Sequence, residues 1–143
     1  MKMKTKNNTE RVSPPMTEER VLLHKVAQKV FEEASTTNLG LTFHIIISFH
    51  LKQKFGKDPY EVLVDDPKTF FNGLEEVLGA GAEAVICLIG TFLVIKYGVN
   101  CTADEFVRLL TKGDEPSKRR LKEILINVAH SSKEAANINL QTT

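Results

Sequence analysis

Residues 43–59, FHIIISFHLKQKFGKDP, set two histidines around three isoleucines and then break into charge, glycine and proline. Read as a helix over about 41–55, the segment is apolar on every face through Leu51, with Gly56 as its stop. A helix that is apolar all round is normally enclosed by other helices, so this stretch predicts an interior rod of a helical bundle. His44 and His50 lie six residues apart, about 600° of helical rotation, which leaves them roughly 120° apart around the axis. They cannot close on one ion as an i, i+4 pair does. The favoured reading is a packed imidazole bonded to a backbone carbonyl or facing a subunit contact. The competing reading is a ligand pocket formed by His44 and His50 with Cys87 from the next strongly apolar segment.

That segment, AVICLIGTFLVI at 84–95, is a dozen apolar or small residues, against the roughly 20 that a membrane-spanning helix needs. It predicts a second central helix over about 81–97, with Gly90 marking a close helix crossing. Around these two rods the pattern supplies amphipathic helices. Thr17 caps a helix over about 18–34, whose Leu23, Val26, Val30 and Ala34 repeat at three- and four-residue intervals. Two Asp-Pro pairs each put a capping carboxylate before a proline that has no amide hydrogen to leave unpaired. Asp58-Pro59 opens a short helical turn through Val62 or Leu63. Asp66-Pro67 opens a helix over about 67–78 that buries Phe70, Leu74, Val77 and Leu78. Thr102 to Glu105 is a capping box for the helix ADEFVRLLTK, stopped by Gly113. A last helix runs to about 130 and buries Leu121, Ile124, Leu125 and Val128. YEVLV, the one strand-like run, would have no partner. The fold class expected is therefore all-α, a bundle of five to six helices.

With 143 residues and 42% hydrophobic content, the chain forms one core, over 17–130. Residues 1–16 read as a disordered basic arm and 131–143 as a flexible tail. Lys plus Arg number 19 against 18 acidic residues, so there is no global field to steer the protein to nucleic acid or to an anionic membrane. No secretory signal pattern is present and the cysteines are only two, which points to a reducing, cytoplasmic setting.

Chemistry is announced weakly. Cys87 and Cys101 lack C-x-x-C spacing, so no zinc motif is formed. GAGAE follows a helix and lacks the Lys-Ser/Thr ending of a phosphate loop. The acidic pairs Glu32-Glu33, Asp65-Asp66 and Glu75-Glu76 suit solvated faces and caps. Neither a metal nor a cofactor is expected, and no catalytic residues stand out. The densest basic cluster, Lys118, Arg119, Arg120 and Lys122, together with Lys2, Lys4, Lys6 and Arg11 of the arm, is the candidate contact for nucleic-acid phosphates. Glu115 and Glu123 flank it.

Over about residues 41–98 the chain resembles an archaeal family of small helical modules, the nitroso output domains. The matching positions are His50, Leu51, Lys54, Phe55 and Gly56, then Phe70, Leu74, Glu75, Gly79, Gly81 and Ala82. The resemblance implies a signal-output or interaction module, and it brings no catalytic residues. The expectation is thus a non-catalytic helical interaction or output module that self-associates as a homodimer or binds another protein, without a membrane partner. A nucleic-acid-binding regulator is the alternative, and a ligand or metal sensor with a pocket between the two central helices is the third reading.

Overall fold

Asp58 accepts a hydrogen bond from the Tyr60 amide at 2.9 Å, Asp66 one from the Thr69 amide at 3.4 Å, and Thr102 one from the Glu105 amide at 3.0 Å. These caps start helices where the sequence places them. The computed structural model describes residues 18–142, with side chains through 131. In it the chain runs through α1 (Glu18–Leu39), α2 (Leu41–Phe55), α3 (Pro59–Asp65), α4 (Pro67–Leu78), α5 (Gly81–Tyr97), α6 (Ala103–Lys112) and α7 (Glu115–Thr142). The protein is all-α, and no strand occurs among the described residues. The described residues form seven helices because the turn opened by Pro59 continues to Asp65, which takes YEVLV into a helix.

Two helices outrun their expected ends. α1 continues to Leu39 because the side-chain amide of Asn38 bonds the Ala34 carbonyl at 2.8 Å within the helix. The stop is Gly40, whose φ of +97° suits only glycine. Its amide bonds the Ser35 carbonyl at 3.0 Å and the Thr36 carbonyl at 3.1 Å. α7 continues to Thr142 over the segment read as a flexible tail, since neither glycine nor proline follows Pro116 to break it. The basic arm and the Thr17 cap lie outside the described residues.

Of the two apolar rods, α5 lies at the centre of the bundle, packed on α1, α4, α6 and α7, and α2 does not. α2 packs on α1, α4 and α3, whereas α5 packs chiefly on α6, α1 and α4. The other central element is α1, which touches α2, α3, α5 and α7. Its Phe31 ring is fully buried, 5.8 Å from Phe70 of α4 and edge-on to it, 5.6 Å from Tyr60 of α3 and 6.1 Å from His44 of α2. Aromatic contacts of this kind contribute about 0.5–1.5 kcal/mol each beyond area burial, and this cluster ties the first four helices together.

The close crossing expected at Gly90 is made by α6. A Cβ on Gly90 would stand 3.0 Å from the Phe106 Cβ and 3.3 Å from the Ala103 Cα. The stripes read from the amphipathic helices are buried as expected in α1 and α7, while Val77 and Leu78 at the end of α4 are only half-buried.

Candidate interaction surface

α2 buries only Ile47 and Leu51, although its first eleven residues carry neither acid nor base beyond the two histidines. Leu41 is 54% exposed, Ile45 56%, Phe49 56% and Ile46 49%. At 100° per residue these four side chains span about 140° of the helix surface, a continuous stripe opposite Ile47 and Leu51. The expectation that α2 is enclosed on all sides is therefore corrected. α1, α3 and α4 cover one side, and among the described residues no other helix lies substantially over the other. α5 repeats this on a smaller scale, with Ile95 78% exposed.

Beside the stripe, where α2 meets α1 and α3, lies an open hollow of about 430 Å³ lined by Gln28, by His44, Ile45, Ser48, Phe49 and Lys52 of α2, and by Asp58, Pro59 and Tyr60. The Ser48 and Tyr60 hydroxyls bond each other at 2.7 Å. Burial pushes the Tyr60 phenol up to about 12. His44 Nδ1 is buried without a hydrogen-bond partner.

The three residues of the expected ligand pocket are not brought together. His44 faces this hollow, and His50 is exposed, its ring edge-on to Phe49 at 5.7 Å. Cys87 lines a separate open depression between α5 and α6, with Glu83, Asp104 and Arg108. The interior void where α1 and α5 meet α3, α4, α6 and α7 measures about 20 Å³, receives no residue from α2, and is too small for anything larger than a water molecule. Among the described residues, then, His44 and Cys87 line separate hollows, and α2 and α5 make little or no contact. Among the described residues, no three His, Cys, Asp or Glu side chains stand close enough to hold a metal. Burial first, then Glu105, raises the Cys101 thiol to about 11, which keeps it protonated at neutral pH.

The basic cluster divides. Arg120 reaches Glu105 of α6 at 3.8 Å and Glu123 at 3.5 Å, and donates to the Asn100 carbonyl. Lys118 pairs with Glu115 at 3.5 Å, while Arg119 and Lys122 project into solvent. Half of the cluster is therefore engaged in holding the start of α7. Three members of the acidic pairs are likewise structural: Asp65 binds Arg20 at 2.6 Å, Asp66 caps α4, and Glu33 accepts from Tyr97 at 2.8 Å and from Lys96 at 3.2 Å.

Fold and surface together define an all-α module whose most distinctive outward feature is an apolar helix face. No family model matches the chain, and no curated protein or solved structure matches it either. No described helix is long and apolar enough to cross a membrane.

Proposed function

We propose that the protein is a non-catalytic helical interaction module, a signal-output unit of the archaeal cytoplasm, and that the outer face of α2 is where it docks on protein. The observation that carries this reading is the stripe of Leu41, Ile45, Ile46 and Phe49, each about half exposed on a stretch free of acidic and basic side chains other than histidine. Scattered exposed apolar residues are ordinary, but a contiguous patch of this kind marks an interface. Docking there dehydrates no full charge, which removes the largest penalty of association.

The nucleic-acid reading has less to draw on, because Arg120 and Lys118 are already paired within the fold. A mobility shift at low salt that disappears on replacing Arg119 and Lys122 would revive it.

Hydroxyl-radical labelling tests the docking reading. Phe49 and Ile45 should be shielded in living cells relative to dilute purified protein, while Ile95 labels equally in both. Equal labelling of α2 in cells and in dilute solution would contradict the proposal.

A further inference from the structure

We infer that the occupant of the α2 face is a second copy of this chain, paired about a twofold axis so that Phe49 of each copy fills the hollow beside α2 of the other. The inference rests on the docking reading above and adds the identity of the partner and the residue that anchors it.

Three observations carry it. First, the face is self-complementary. A twofold contact requires one patch to hold both a projection and the cavity that receives it. Here Ile45 and Phe49, each 56% exposed, themselves form part of the lining of the hollow they share with His44, Ser48, Pro59 and Tyr60. At about 430 Å³ the hollow has room for an aromatic side chain. Filling it with a phenyl ring leaves the Ser48 and Tyr60 hydroxyls one mutual bond, at 2.7 Å, and His44 Nδ1 is already without a partner before the ring enters.

Second, a second copy brings another face whose only ionisable side chains from 41 to 51 are the two histidines, and Lys52 and Asp58, which also line the hollow, offer opposite charges at the contact. The chain's own segment before α1 is a poor substitute. Its large aliphatic side chains are Met1, Met3, Val12 and Met16, and Lys2, Lys4 and Lys6 interrupt the first two.

Third, the area fits a reversible dimer. A large apolar side chain carries roughly 200 Å² of surface, so four half-exposed ones offer about 400 Å² per copy and about 800 Å² in a pair. Stable interfaces bury about 1,200–2,000 Å² in total, so a contact of this size matches the smaller interfaces of weak, transient association. This predicts a dimer that forms in the micromolar range and dissociates on dilution, not an obligate one.

Sedimentation equilibrium on the full chain tests the inference. Wild type should pass from 16.0 kDa toward twice that mass as concentration rises from low micromolar to several hundred micromolar. Phe49→Asp and Ile45→Asp should each weaken self-association at least tenfold, with helical circular dichroism unchanged, and Ile95→Asp should leave it intact. Phe49→Lys and Ile45→Lys repeat the test should an aspartate variant fold poorly. A wild type that stays at 16.0 kDa throughout, or a dimer that survives both α2 substitutions, overturns the inference. If α2 is then still shielded in cells, the docking reading stands with another partner. If α2 is not shielded, both fall.

Discussion

Ser48 of α2 and Tyr60 of α3 are joined hydroxyl to hydroxyl at 2.7 Å, and this bond forms part of the wall of the hollow beside the exposed stripe. It fixes the one side of α2 that the fold covers, so the opposite side is presented at a set angle. Removing it should loosen the presentation before it unfolds the protein. Tyr60→Phe is expected to cost about 1 kcal/mol, the usual net worth of such a bond, read as a lower denaturation midpoint with unchanged slope. The phenol also gives a pH signature. Its pKa is raised by burial from 10.0 to about 12, so the folded state keeps a proton that the unfolded chain loses. Its contribution to stability is complete below pH 10.0 and declines as pH rises toward 12. Absorbance titration should show one tyrosine ionising about two units late, and that transition should vanish in Tyr60→Phe.

Asp65 predicts the opposite limb. Burial pushes its carboxyl up, but the hydrogen bond and charge of Arg20, with His24 Nε2 at 3.7 Å, outweigh burial and hold its pKa below the usual value. A depressed carboxylate stabilises the fold above its unfolded pKa of 3.8, and that stabilisation is lost as pH falls through the lower folded value. Asp65→Asn should cost about 1–2 kcal/mol at neutral pH, and the gap to wild type should close below pH 3.8. A gap that stays constant with pH would remove the ion pair from the account.

Arg120 should behave as a structural residue. Because it ties α7 to Glu105 and to the Asn100 carbonyl, Arg120→Ala should lower stability by about 1 kcal/mol, whereas Arg119→Ala should fall within about 0.5 kcal/mol of wild type. Thermal unfolding of the two variants side by side checks this.

Gly90→Ala sets helix propensity against packing. Alanine gains about 1 kcal/mol of propensity, but its methyl would press on the Phe106 Cβ at 3.0 Å and on the α6 backbone at Ala103, and such overpacking costs about 1–3 kcal/mol. The net expectation is a loss of about 1 kcal/mol in chemical denaturation. A gain would mean that α6 yields easily.

The helix starts were legible because their cause is local. Asp58-Pro59, Asp66-Pro67 and Thr102 to Glu105 carry both the acceptor and the amides it satisfies. The buried stripe of Leu121, Ile124, Leu125 and Val128 was legible because polar residues on the other side of α7 give the period its contrast. α2 lacks that contrast. With every face apolar, the pattern is the same whichever side the neighbours take, so the exposure of Ile45 and Phe49 depends on where α1, α3 and α4 lie. The hollow was hidden for a related reason. Gln28, Ser48 and Tyr60 come from three helices, and no spacing in the chain marks them as neighbours. Phe31 was missed as the hub because its importance lies in which rings meet it.

The most direct measurement is the isoleucine methyl spectrum followed on dilution. As the protein is taken from near-millimolar to micromolar concentration, the methyl signals of Ile45 and Ile46 should move together along one binding curve, while those of Ile95 and the buried Ile86 hold still. Stationary Ile45 and Ile46 signals, or a shift centred on Ile95, would contradict the claim that the outer face of α2 is the surface through which this protein meets its own copy.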